Sequence, residues 1–133
     1  MIALDTNVLV RFLVDSADEP TQSARARALV SAALIRGEPV MIPLVTLVET
    51  VWVLRRSGGF GRDEVARTIR ALLHARGVEL GDRDVVQRAI EVFETRKGDF
   101  ADHVIAAQAH LVGASTLYTF DRALHGQDGF AEP

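Results

Sequence analysis

The chain predicts a three-layer α/β/α fold, and three observations carry that expectation. Short apolar runs alternate with stretches of helical periodicity from one end to the other. The stretches between them are long enough for the helical crossovers that parallel strands require, so a parallel sheet with helices on both faces is expected. Acidic residues, Asp5 and Asp121, stand at the ends of two apolar runs, the end of an open α/β sheet where ligands bind.

The elements follow in order. Residues 1–4 are an apolar run suited to a buried parallel strand, and Asp5, Thr6 and Asn7 supply turn and helix-capping types directly after it. Val8, Leu9, Phe12 and Leu13 recur at helical spacing until the polar break from Asp15 to Pro20, and a second helix spans 21–35, stopped by Gly37. Residues 40–42 read as the second strand, and Pro43 opens a helix to Arg56 that Ser57, Gly58 and Gly59 close. A helix over 62–74, a brief strand over 78–80 and a helix capped by Asp82 and reaching Arg96 come next. Asp102 starts a helix to Leu111 that Gly113 ends, residues 116–120 form a strand ending at Asp121, and residues 130–132 leave open a short fifth strand at the edge.

A chain of 133 residues is expected to make one domain over 1–133, burying roughly two-thirds of the surface its unfolded form exposes. With 48% apolar and 25% charged residues it falls in the globular range. The absence of cysteine excludes disulfides, zinc-thiolate sites and cysteine nucleophiles, leaving carboxylates and histidines as metal ligands. His74, His103, His110 and His125 show no paired spacing for zinc or nucleophilic chemistry, and His103 is expected on a helix surface. No basic start and apolar core precede Asp5, and no apolar run approaches the ~18 residues of a membrane span. A cytoplasmic protein with no membrane partner is expected. The net charge is −3, which the four acids discussed next more than account for, so the balance does not exclude nucleic acid.

Asp5, Glu49, Asp102 and Asp121 each lie in or against an apolar segment. An ionised carboxylate withdrawn from water without a partner costs several kcal/mol, and no lysine or arginine stands close in sequence to serve every one of them. Taken singly, each has an ordinary reading. Asp5 is a turn residue capping the next helix, Glu49 a buried glutamate paired with an arginine, Asp102 a helix N-terminal carboxylate typically worth ~0.3–1 kcal/mol, and Asp121 the cap of a short turn. Asp99 either shares a face with Asp102 or sits in the loop after Gly98. Taken together, four acids at strand ends and helix starts are read as one crevice sharing hard divalent cations, which take oxygen ligands. That makes a metal-dependent enzyme the expectation.

The segments Leu4-Asp5-Thr6-Asn7, Glu49-Thr50-Val51-Trp52-Val53-Leu54, Asp99-Phe100-Ala101-Asp102-His103 and Thr119-Phe120-Asp121-Arg122 occur in this order across nearly the whole chain. In order, spacing and total length they resemble the PIN-domain family, in particular the VapC-type ribonuclease toxins of prokaryotic toxin–antitoxin pairs. The resemblance implies a parallel sheet of four to five strands in the order 3-2-1-4-5, with the four acids in one pocket, and RNA cleavage dependent on Mg²⁺ or Mn²⁺. Asp5, Glu49, Asp102 and Asp121 match the acidic positions, Asp99 a frequent additional acid, and Asn7 and Thr119 supporting polar positions. The sequence departs from the pattern at residues 129–133, which are shorter and less apolar than the usual closing strand.

Phosphodiester hydrolysis needs an activated water, neutralised phosphate charge and a stabilised leaving oxygen, all within the reach of Mg²⁺. Asp5, Asp102 and Asp121 are the expected metal ligands, with Glu49 either a further ligand or the acceptor that orients water. Arg11, Arg55, Arg56 and Arg122 lie near the motif segments and are the expected RNA contacts. Val45, Val48, Trp52 and Phe60 exceed what one helix face needs for a core, which marks an interface, and the resemblance makes its occupants a second copy of the chain in a homodimer and a cognate small antitoxin. Two rival readings remain open: a phosphoacceptor module using Asp5 or Asp121, against which Glu49 stands, and a catalytically silent PIN scaffold, against which all four acids stand.

Overall fold

The computed structural model describes residues 1–133 as a mixed α/β chain with six helices and parallel strands. Two compact units divide it, Met1–Arg83 and Asp84–Pro133.

The first unit contains β1 (Ile2–Ala3), α1 (Thr6–Leu13), α2 (Pro20–Ile35), β2 (Val40–Ile42), α3 (Leu44–Arg56), α4 (Arg62–His74) and β3 (Val78–Leu80). All three strands are parallel, with β2 central, Ile2 opposite Val40, and Val40 in turn opposite Val78. Val40 and Ile42 are fully buried, as the continuous apolar run of a covered parallel strand requires. Helix α1 packs on α2 and α3, and α4 packs on β3 and α3. The fit of α4 follows from its sequence, since Val65, Ile69 and Leu72 fall at helical spacing and are all buried. Its start is fixed by Glu64, whose carboxylate accepts the Gly61 N–H at 3.3 Å. The chain start is held electrostatically: Glu38 accepts the Met1 ammonium at 3.3 Å and the Arg36 guanidinium at 2.9 Å. The Arg36 guanidinium first, and the ammonium second, hold the Glu38 carboxyl below the usual carboxylate range.

The second unit follows from α5 (Arg83–Thr95), whose first residue closes the unit before it, through α6 (Phe100–Leu111), β4 (Leu117–Tyr118) and β5 (Phe130–Ala131). Val86, Ile90 and Phe93 line the buried side of α5, and Phe93 meets Phe100 edge to face at 6.0 Å. That packing explains why α6 begins at Phe100, two residues before the expected start at Asp102: a buried aromatic on the first turn draws the turn into the helix. Strand β5 does form and runs parallel to β4, with Leu117 opposite Phe130.

Hydrogen bonding gives a sheet in the order β1-β2-β3 in the first unit and a pair β4-β5 in the second. The Ile2 and Leu4 amides both donate to the β2 side, at Pro39 and Met41, and the Leu117 and Thr119 amides both donate to the β5 side, at Gly129 and Ala131.

Candidate active site

Asp5 owes its position to Leu4, which is buried and tied down twice. Its N–H donates to the Met41 carbonyl at 3.0 Å, and its carbonyl accepts the Thr46 hydroxyl of α3 at 3.2 Å. Asp5 is then the N-cap of α1 in extended conformation, with Oδ1 accepting the Thr6 N–H at 2.7 Å. Glu49 lies one turn beyond Thr46 on α3, and its Oε2 accepts the Thr6 hydroxyl at 2.9 Å. Thr6 therefore links the two acids, its amide to one and its hydroxyl to the other. Asp5, Thr6, Asn7, Arg11, Glu49 and Val53 line one pocket of about 340 Å³. Thr6 is a residue that the sequence reading overlooks, although it stands between two singled-out neighbours.

Glu49 is exposed, which corrects the expectation of a glutamate enclosed by apolar neighbours. Helix α3 buries Thr46, Leu47, Thr50, Val51 and Leu54 along one stripe. Val45, Glu49, Trp52 and Arg56 fall on the opposite face, so the apolar look of the segment comes partly from Val45 and Trp52 facing solvent. Trp52 is 58% exposed and carries the Arg56 guanidinium 5.1 Å above its ring. Arg55 Nη1 turns instead to the Phe60 carbonyl, and Arg11 Nε donates to Gln22 Oε1 at 3.2 Å.

In the second unit Asp99 caps α6 and Asp102 occupies its third position. Asp102 Oδ2 accepts the Asp99 N–H at 2.9 Å, the reciprocal contact of a helix start, and this accounts for one of its two oxygens. Asp102 is half-buried, while Asp99 and Asp121 are exposed. Asp121 closes a tight turn: its N–H donates to the Thr119 hydroxyl at 3.0 Å, and its Oδ1 accepts the Ala123 N–H at 2.9 Å. Thr119 thus holds Asp121 directly.

His103 is buried at 2% exposure, contrary to the expected surface position. Its Nε2 donates to the Lys97 carbonyl at 2.9 Å, which fixes the turn before Asp99. The signal was available in the spacing, because His103 shares its face with Phe100 and Ala107, both buried. Gln127 Nε2 reaches the same Lys97 carbonyl at 3.1 Å.

The donors that these acids present are carboxylate oxygens, accompanied by threonine hydroxyls and an asparagine amide, with no cysteine in the chain. Such a set fits a hard divalent cation such as Mg²⁺ or Mn²⁺ and not a soft thiolate-seeking metal. Asp5 and Glu49 already converge on one pocket. Within each unit taken by itself, no three histidine, aspartate or glutamate side chains gather to hold an ion.

The fold is a parallel α/β chain that carries carboxylates at a strand end and at helix starts. The PIN domain family matches residues 2–129, across both units, and the chain belongs to that family. PIN domains are in general nucleases, which typically bind RNA and typically use divalent metals. No curated protein and no solved structure matches the chain. No helix is long and apolar enough to cross a membrane.

Proposed function

We propose that the chain is a Mg²⁺- or Mn²⁺-dependent endoribonuclease in which Asp5, Glu49, Asp102 and Asp121 act together, and that it is a VapC-type toxin of a toxin–antitoxin pair working in the cytoplasm. The observation that carries the reading is the Asp5–Thr6–Glu49 linkage on one pocket, within a chain that matches a nuclease family from residue 2 to residue 129. On this reading the whole of 1–133 is one PIN domain, with the 3-2-1-4-5 strand order that the resemblance implies.

A bound Mg²⁺ would neutralise charge on the scissile phosphate and activate the attacking water. Asp5, Asp102 and Asp121 would hold it, and Glu49 would act as a ligand or accept a proton from the water. Thr6 keeps the Glu49 carboxylate turned toward the pocket, and Thr119 fixes the backbone that presents Asp121. Asp99 and Asn7 support the set, Asp99 through the first turn of α6 and Asn7 from the wall of the Asp5 pocket. Arg11, on the wall of the Asp5 pocket, Arg122, beside Asp121, and Arg55 and Arg56 of α3 would meet RNA phosphates, Arg11 on exchanging its Gln22 contact and the α3 pair on exchanging theirs with Phe60 and Trp52. The exposed Val45 and Trp52 support a homodimer and an antitoxin as partners of the α3 face.

Purified protein should cut RNA with Mg²⁺ or Mn²⁺ present and stop when chelator is added. Undiminished cutting in chelator would overturn the metal dependence.

A further inference from the structure

Two segments of the second unit carry its candidate acids: the start of α6, with Asp99 and Asp102, and the turn that presents Asp121. One side chain joins them. Gln127 Nε2 donates to the Lys97 carbonyl and to the Ala123 carbonyl, each at 3.1 Å. Lys97 stands two residues before Asp99, and Ala123 two residues after Asp121, whose Oδ1 accepts the Ala123 N–H at 2.9 Å. Each end of this bridge is held on its own side. The Lys97 carbonyl also accepts His103 Nε2 at 2.9 Å, and His103 is buried in α6. The Asp121 carbonyl accepts the N–H of the buried Leu124 at 3.1 Å, the Leu124 carbonyl accepts the Gln127 N–H at 3.2 Å, and His125 Nε2 donates to the Thr119 carbonyl at 2.8 Å. A bridge between two fixed ends transmits position from one to the other.

Stability alone does not account for a glutamine at this position. Both partners of its nitrogen are carbonyls, which fixes the orientation of the amide and leaves Oε1 buried with no hydrogen-bond partner. An unpaired buried acceptor costs as much as an intramolecular hydrogen bond contributes, or more, so the gain from the two bonds is largely offset by the oxygen. An apolar side chain of the same length would fill the space without that penalty and would lose only the bridge. What the amide adds is a definite separation between two backbone segments.

We infer that Gln127 is a positioning residue, whose side-chain amide sets how the Asp102 and Asp121 carboxylates stand to one another and thereby how tightly the acids hold a divalent cation. The inference rests on the metal-dependent reading above and adds to it a residue that carries no charge and touches neither acid's side chain. Ligand oxygens must be held within a fraction of an ångström of their productive places, and groups that hold the ligands from behind govern affinity for the ion. Gln127 acts on one acid through the Ala123 backbone and on the other through the turn from Lys97 to Asp99.

The test measures Mn²⁺ binding to the full chain by electron paramagnetic resonance without RNA, well below the melting temperature of each variant, and compares wild type with Gln127→Met and Gln127→Glu. Gln127→Met keeps the length and loses both donors, and it should weaken Mn²⁺ binding by about tenfold while its metal-free melting temperature stays close to that of wild type. Gln127→Glu keeps the shape but turns oxygen toward both carbonyls. By charge alone an added carboxylate would tighten Mn²⁺ binding, whereas loss of the bridge should weaken it. In RNA cleavage at sub-saturating Mn²⁺ the loss should fall on kcat and leave KM for RNA unaltered, and saturating Mn²⁺ should restore most of the rate. Mn²⁺ affinity in Gln127→Met equal to that of wild type, tighter binding by Gln127→Glu, or a lowered melting temperature with affinity unaltered would overturn the inference. The two readings fail separately: wild-type RNA cleavage alongside unaltered Mn²⁺ binding by Gln127→Met sinks the positioning role alone, whereas the expected loss of Mn²⁺ affinity with RNA left intact by wild type sinks the nuclease reading alone.

Discussion

Individual side chains settle more about this molecule than its composition does, and Asp99 and Asp102 are the sharpest case. Both stand at the start of α6, three residues apart, and both accept the reading of ordinary helix-terminal acids. Asp102 is half-buried and anchored through the Asp99 N–H, whereas Asp99 is exposed and follows the turn at Gly98. A metal ligand must be held within a fraction of an ångström of its productive position, which favours Asp102. Asp102→Asn keeps an oxygen for the Asp99 amide, so the helix start survives while a charge is lost. It should remove nearly all turnover and weaken metal binding by calorimetry, while Asp99→Asn should retain measurable turnover. Folded Asp99→Asn with no activity beside an active Asp102→Asn would reverse the assignment. The acids themselves are legible in the sequence, but their surroundings are not. The Glu49 segment looks enclosed because Val45 and Trp52 are apolar, yet both lie on the exposed stripe of α3, and the apolar count of a segment does not report which face is covered.

At the scale of elements, residues 40–42, 62–74 and 78–80 can be delimited from sequence at both ends, because Gly, Pro and polar breaks bracket clean periodicities. The start of α6 cannot, since it depends on Phe100 packing against Phe93, a contact between separate segments. The sheets escape the sequence for a related reason: two-residue strands carry no periodicity long enough to specify their neighbours. The turn joining α5 to α6 also depends on a single residue. Gly98 adopts φ +112, and a Cβ there would lie 2.5 Å from Leu124 Cδ2 and 3.1 Å from His103 Nε2. Gly98→Ala must therefore adopt a strained backbone and displace a buried leucine together with the histidine that holds Lys97. The expected cost is about 2–4 kcal/mol, visible as a lower melting temperature, with loss of RNA cleavage as the Asp99–Asp102 turn shifts. An alanine variant as stable as the parent would show that the turn is not held in this way.

At the scale of the whole molecule, the proposed account, in which four carboxylates serve metal-dependent cleavage of RNA, starts from a nuclease family matched over residues 2–129 and a linked pair of acids on one pocket. Asp5 is the residue on which that account can be tested with least disturbance to the fold. As an N-cap its carboxylate accepts the Thr6 amide, a task that asparagine performs about equally well, so Asp5→Asn removes the charge and keeps the cap. The charge removed stands on the same pocket as the Glu49 carboxylate, so its loss should not lower metal-free stability. The most direct measurement is single-turnover cleavage of a labelled RNA by wild type and Asp5→Asn across a Mg²⁺ titration, with metal-free melting temperatures recorded for both. Cleavage should disappear in Asp5→Asn at every Mg²⁺ concentration, while its metal-free melting temperature equals or exceeds that of wild type. Substantial Mg²⁺-dependent cleavage by folded Asp5→Asn would contradict the account.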